Sequence, residues 1–164
     1  MDQELTVVDS LIALNETVPD FSAAMTGNKT FRLSDYKGKN LVLYFYPKDN
    51  TPGCTTEGLQ FRDLYPQFKE VNAEIFGISR DSIASHENFK GKLEMPFDLI
   101  SDPDETVCNL FEVMKMKNMY GKQTRGVDRC TFIVDASGKL VKEWRGVKVP
   151  GHVNEVLEFM KAIV

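Results

Sequence analysis

The 164-residue chain has no long hydrophobic run: its longest unbroken apolar stretch, Leu41 to Tyr46, is six residues, against the roughly 20 that a membrane-spanning helix needs. No segment is therefore suited to crossing a bilayer. Positive charge is not in surplus, since 20 Lys and Arg stand against 24 Asp and Glu for a net charge of −4, which argues against general polyanion binding. Cysteine is scarce and odd in number. Cys54, Cys108 and Cys130 are widely spaced and fit neither a secreted disulfide framework nor a C-x-x-C metal or dithiol motif. If these cysteines matter chemically, they act as reactive thiols. There are only two histidines, His86 and His152, with no matching ligand spacing, so no metal site is expected. The first residues, Met1-Asp2-Gln3-Glu4, are acidic where a secretory signal is basic, so a cytoplasmic location is expected. Low-complexity tracts, repeats and single-sign charge blocks are missing, and with 42% hydrophobic residues disorder is excluded as the main state. A chain of this length buries roughly 70% of its unfolded surface, which predicts one domain over 1–164.

Alternating elements predict an α/β fold, a mixed sheet covered by helices. Thr26-Gly27-Asn28 marks a hairpin turn within 22–33. Leu41 to Tyr46 reads as a central strand buried on both faces. Phe61, Leu64, Tyr65 and Phe68 form the stripe of a helix, which Pro66 should kink. A second inner strand over Ala73 to Ser79 precedes a helix marked by Ile83, His86, Phe89 and Leu93. Asp102 is placed as N-cap of a short helix carrying Val107, Leu110, Phe111 and Met114, and Lys115 to Asp128 reads as an irregular loop. Cys130 to Val134 and Leu140 to Trp144 pair as a hairpin around Ala136-Ser137-Gly138-Lys139, and Val153, Val156, Leu157 and Met160 give a closing helix.

Chemistry concentrates where the buried strand ends, in Tyr44-Phe45-Tyr46-Pro47-Lys48-Asp49-Asn50-Thr51-Pro52-Gly53-Cys54-Thr55-Thr56-Glu57. Thr51 suits an N-cap and Pro52 the first helical position, which puts Cys54 in the first turn of a helix, where free backbone N–H groups and the helix dipole favour an anion. An unperturbed thiol, with a pKa of about 8.5, is only slightly ionised at neutral pH, so a reactive role needs such stabilisation and a cation besides. On the residues alone, a cysteine here also serves as a small apolar packing group.

The motif Pro47-x-x-x-Thr51-x-x-Cys54 resembles the active-site signature of the peroxiredoxins, and the wider stretch is similar to their Q-type, or bacterioferritin comigratory protein, branch within the AhpC/TSA family. The resemblance extends through Val18-Pro19-Asp20-Phe21, Ser101-Asp102-Pro103, Met119-Tyr120-Gly121-Lys122, Arg129-x-Thr131-Phe132 and Val147-Lys148-Val149-x-Gly151-His152. It implies a thioredoxin-like fold and a thiol peroxidase acting on hydrogen peroxide and organic hydroperoxides without metal, haem or flavin. It makes Cys54 the peroxidatic nucleophile, Thr51 the hydrogen-bonding partner of the peroxide, Pro47 a wall against water and Arg129 the cation. Gly53, Glu57 and Tyr44 become supporting residues. Arginine suits its place because it keeps its charge at every relevant pH.

The chain departs from the branch at the resolving cysteine. Many relatives carry it five residues after the peroxidatic one, where this chain has Leu59, and others on the following helix, where Ile83 to Leu93 contains none. Cys130 follows Arg129 on a strand and should face the opposite way; it is read as a buried structural thiol. Cys108 is either core packing or a resolver, and bonding to Cys54 requires Cα atoms within about 7 Å. The expected mechanism is one-cysteine, with glutathione, glutaredoxin or thioredoxin as reductant, against an atypical two-cysteine cycle through Cys108. A monomer or simple dimer is implied.

His86 and His152 are read as surface or capping residues. Lys115, Lys117, Lys122, Arg125 and Arg129, with Tyr120 alongside, are read as a solvated basic loop that raises the potential near Cys54, not as a nucleic-acid site. Two other classes remain in view: a thioredoxin-like binding protein without chemistry, and a thiol–disulfide oxidoreductase, for which Glu57 stands where the partner thiol of Cys54 would be.

Overall fold

The computed structural model describes residues 12–164. The acidic start on which the cytoplasmic reading rested lies outside these residues. In chain order the elements are β1 (Ser22–Met25), β2 (Lys29–Arg32), β3 (Asn40–Phe45), α1 (Pro52–Glu70), β4 (Ala73–Ser79), α2 (Ile83–Leu93), β5 (Asp98–Ser101), α3 (Thr106–Leu110), β6 (Met114–Met119), β7 (Lys122–Val127), β8 (Cys130–Val134), β9 (Leu140–Trp144) and α4 (His152–Ile163). Seven strands form one mixed sheet in the order β2-β1-β5-β4-β3-β8-β9, and β6 and β7 form a separate ribbon. Strands β3, β4 and β5 run parallel, joined through α1 and α2, while β8 pairs antiparallel with β3.

The alternation of β3 divides the core. Leu41, Leu43 and Phe45 face one side, with Phe76, Ile78, Ile100, Cys108, Cys130 and Phe132. Val42, Tyr44 and Tyr46 face the other, with Cys54, Phe61, Phe68, Phe89, Val156 and Met160 contributed by α1, α2 and α4. A strand of apolar residues covered on both faces is what its continuous run requires.

Helix α1 continues through Pro66, which lies on an exposed part of the helix, for another turn to Glu70. Three elements differ from expectation. Strand β5 is too short at four residues to carry a readable period. The segment read as an irregular loop is the β6–β7 hairpin, turned by Tyr120 at φ 52° and Gly121 at φ 80°; two positive φ values in succession are the hairpin turn that suits strand twist. Met114 and Val127 at the base of the ribbon pack against the core, and the largely polar arms beyond them are mostly exposed, which leaves too short a buried stripe for sequence reading to detect. Met114 accordingly begins β6 instead of extending α3. Asp102 is not the N-cap of α3, a place taken by Glu105, yet its buried carboxylate accepts from the N–H groups of Val107 at 3.0 Å and Cys108 at 2.7 Å, so it satisfies the helix start from outside.

Candidate active site

Strand β3, in the interior of the sheet, ends before Tyr46, the loop Pro47 to Thr51 turns the chain, and α1 starts at Pro52. Thr51 is the N-cap with extended backbone, but its hydroxyl does not cap. It donates instead to the Lys48 carbonyl at 2.8 Å. The hydroxyl proton is thereby committed and the oxygen lone pairs are left to accept. The first bond within α1 runs from the Thr55 N–H to the Thr51 carbonyl at 2.9 Å, so the N–H groups of Gly53 and Cys54 have no intrahelical acceptor.

Cys54 is 2% exposed. Arg129, immediately before β8, brings Nη2 to 3.4 Å from Cys54 Sγ and Nη1 to 2.6 Å from Glu57 Oε1. Gly53 leaves room for this approach, since a Cβ there would lie 3.2 Å from Arg129 Nη2. Glu57, one turn after Cys54, is fully buried. Burial pushes its carboxyl up to about 7 against the pull of the Arg129 charge and hydrogen bond. A guanidinium with one nitrogen on a carboxylate and another on a sulfur is held rigidly, and stabilises negative charge developing on that sulfur.

Tyr44 lies fully buried on the same side of the sheet as Cys54, its ring stacked on Phe61 at 4.5 Å. Its hydroxyl and Glu57 Oε2 have no hydrogen-bond partner among the described residues. Burial, and then the Glu57 charge, hold the phenol well above its ordinary range. Pro47 is half-buried at the end of β3. A groove of about 360 Å³ runs along the first turns of α1, lined by Pro52, Gly53, Thr56, Gln60, Val149 and Pro150.

The other cysteines are elsewhere. Cys108 and Cys130 are fully buried on the opposite face of the sheet from Cys54. Burial and the Asp102 carboxylate push the Cys108 thiol far up, and burial beside Asp128 takes Cys130 to about 12. Among the described residues all three cysteines are free thiols.

Both histidines are corrected from surface or capping residues to buried ones, at 0% exposed for His86 and 4% for His152. His152 pairs with the Thr131 hydroxyl at 2.8 Å, and burial lowers it to about 4, so it is neutral. His86 Nδ1 lies 2.8 Å from Asp49 Oδ2, a contact that sequence reading missed although Ile83, His86 and Phe89 share one helix stripe and so predict an inward side chain. Asp49, Asp81 and His86 offer ligand-type atoms within 4.8 Å of one another. Their mutual hydrogen bonds and those to Tyr46, Ser79 and Ser85 already occupy these groups, an arrangement suited to a polar network more than to a cation.

A thiol at a helix start, an arginine on its sulfur and a mixed sheet beneath define a thioredoxin-like thiol protein, and comparisons with known proteins place it. The AhpC/TSA family profile matches residues 14–143. Peroxiredoxin Bcp of Xanthomonas campestris is 47% identical over 156 residues, 95% of this chain and 98% of that one. Peroxiredoxin Bcp of Bacillus subtilis is 47% identical over 150 residues, 92% and 96% of the two chains. Among solved structures, X. campestris peroxiredoxin Q has a TM-score of 0.83 at 49% identity, covering 87% of this chain and 90% of its own. PrxQ of Xylella fastidiosa, as a Cys-to-Ser mutant, has a TM-score of 0.87 at 44% identity, covering 92% and 96%. The chain belongs to the AhpC/TSA family, in its peroxiredoxin Q, or bacterioferritin comigratory protein, branch.

Proposed function

We propose that the protein is a thiol peroxidase that reduces hydrogen peroxide and organic hydroperoxides at Cys54, with an external thiol closing the cycle. The observation that carries this is Arg129 Nη2 at 3.4 Å from Cys54 Sγ, at the open start of α1. The Cys54 thiolate attacks the terminal oxygen of ROOH. The S–O bond forms, the O–O bond breaks, and Cys54 becomes a sulfenic acid while RO⁻ takes up a proton and leaves as alcohol, or as water from hydrogen peroxide. Thr51 accepts from the hydroperoxide O–H, and Arg129 with the free N–H groups of Gly53 and Cys54 supports charge on the reacting oxygens. Pro47 keeps bulk water off one side. The X. campestris bacterioferritin comigratory protein is described for its alkyl peroxide reduction activity, and the groove along α1, which Gly53 lines next to Cys54 in the chain, gives an alkyl group a place.

In the second half, a thiol R′SH attacks the sulfenic sulfur, water leaves, and a second thiol then displaces Cys54 as thiolate with release of a disulfide. Glutathione, glutaredoxin or thioredoxin supplies these thiols, in a cytoplasm that keeps them reduced, for a monomer or simple dimer. An external thiol is favoured because the sheet separates Cys54 from Cys108 and Cys130. A two-cysteine cycle through Cys108 needs α3 and the start of α1 to open. Peroxide consumption with dithiothreitol as reductant tests the assignment: it disappears in Cys54→Ser, and persistence at the wild-type rate rejects Cys54 as nucleophile.

A further inference from the structure

The loop that sets Thr51 is tied down by a buried polar network that the chemistry at Cys54 does not itself use. Asp49, 4% exposed, stands two residues before Thr51 and next to Lys48, whose carbonyl holds the Thr51 hydroxyl. Its carboxylate collects three contacts: the Tyr46 hydroxyl at 2.6 Å from the end of β3, the Ser85 hydroxyl at 2.8 Å and His86 Nδ1 at 2.8 Å from the first turns of α2. Its backbone N–H donates to Asp81 Oδ2 at 2.9 Å, beyond the end of β4. Three separate elements thus grip one residue of the loop.

Hydrogen counting places one proton on Nε2 and one in the Asp49–His86 contact. His86 Nε2 lies 2.9 Å from the Ile100 carbonyl oxygen of β5, which only accepts, so Nε2 carries a proton. Nδ1 faces Asp49 Oδ2, and that contact needs a proton on one side or the other. Tyr46 and Ser85 already donate to the same carboxylate, a pattern that favours its ionised form. Although burial works against ionisation, hydrogen bonds from His86, Tyr46 and Ser85 hold Asp49 below the usual carboxylate range. A second carboxylate, Asp81, lies within 4.8 Å of these groups. With the Asp49 carboxylate ionised by the donors that surround it, the proton of the contact lies on Nδ1.

We infer that Asp49 and His86 form a buried carboxylate–imidazolium pair that positions the Pro47–Thr51 loop and thereby sets how a hydroperoxide is oriented against Cys54. The inference rests on the roles of Cys54 and Thr51 proposed above. A buried ion pair returns little net stability against its desolvation, whereas losing one partner leaves the other stranded; what it supplies here is a fixed geometry. The carboxylate also sits at the start of α2, where the helix dipole favours negative charge. Both are positioning residues, acting through Lys48 and Thr51.

Two measurements on the full chain test this. In ¹⁵N NMR at neutral pH, His86, assigned by the signals lost in His86→Gln, is expected to show two protonated ring nitrogens; one unprotonated nitrogen overturns the charge assignment. Single-turnover oxidation of Cys54 by hydrogen peroxide and alkylation of Cys54 by iodoacetamide are then compared in Asp49→Asn and His86→Gln. Misplacing Thr51 slows oxidation by roughly tenfold to a hundredfold, while alkylation, which needs the thiolate but not Thr51, keeps its rate. Equal changes in both rates, or unchanged oxidation in the folded variants, overturn the positioning role. If a single variant does not fold, the double variant Asp49→Asn/His86→Gln, with an amide facing an amide, carries the same two readouts. Peroxidase activity surviving in Cys54→Ser would reject the underlying assignment and leave the NMR result standing.

Discussion

Arg129 and Cys54, 75 positions apart in sequence, meet at 3.4 Å because β8 lies beside β3 and Arg129 directly precedes it. Glu57 completes the arrangement from the next turn of α1, 2.6 Å from the other guanidinium nitrogen. The Cys54 sulfur therefore shares its cation with a carboxylate that is fully buried.

Replacing that arginine separates the two effects. Arg129→Met removes the cation from Cys54 and strands Glu57, with a stability loss of up to about 3–5 kcal/mol expected above about pH 7, where the Glu57 carboxyl is ionised. Arg129→Met/Glu57→Gln recovers much of the stability and none of the peroxide rate. Urea midpoints alongside single-turnover rates check this; recovery of the rate in the double variant would contradict it.

Glu57 also makes stability depend on pH. Its carboxyl is raised to about 7 in the folded protein, above its unfolded value, so its contribution is fully present below about pH 4.3 and is lost as pH rises through about 7. Glu57→Gln removes that loss. The stability of the variant relative to wild type is expected to rise between those limits by a few kcal/mol, on the order of 1.4 kcal/mol for each pKa unit. Denaturant titrations at intervals of pH measure it, and a flat difference counts against the raised carboxyl.

Gly77 on β4 pairs with Tyr44, and a Cβ there would come within 2.8 Å of the Tyr44 ring and hydroxyl and 2.9 Å of Leu99. Gly77→Ala is expected to cost about 1–3 kcal/mol by overpacking and to disturb the floor beneath Cys54. At Gly58 the nearest atom is the end of the flexible Met95 side chain, so Gly58→Ala is the milder change. Thermal unfolding of the two variants side by side tests the order.

Cys108→Ser and Cys130→Ser, on the far face of the sheet, are expected to leave turnover with an external thiol unchanged. Loss of thioredoxin-dependent recycling in Cys108→Ser, with Cys54 oxidation intact, would instead assign Cys108 as resolver.

Much of this arrangement was legible in the chain. Leu41 to Tyr46 announced a strand buried on both faces, and Thr51-Pro52 placed Cys54 at a helix start, because local chemistry dictates both. The pairing of Arg129 with Cys54 came from family resemblance, since no local pattern joins positions so far apart. The β6–β7 ribbon was hidden because Met114 and Val127 at its base pack on the core while Met116 and the lysines beyond them are largely exposed, too short a buried stripe to read, and β5 because four residues carry no period. The Asp49–His86 contact depends on α2 folding back over the loop, a tertiary fact. Its one local trace was a histidine inside an apolar stripe.

The most direct test is the intact mass of the protein treated with one equivalent of hydrogen peroxide without reductant and only then denatured and thiol-blocked, beside Cys54→Ser. Cys54 is expected to gain one or two oxygens, Cys108 and Cys130 to carry the blocking group of unoxidised thiols, and the variant to show no such gain. Loss of two hydrogens at the mass of a single chain would reveal an internal disulfide and contradict the one-cysteine cycle.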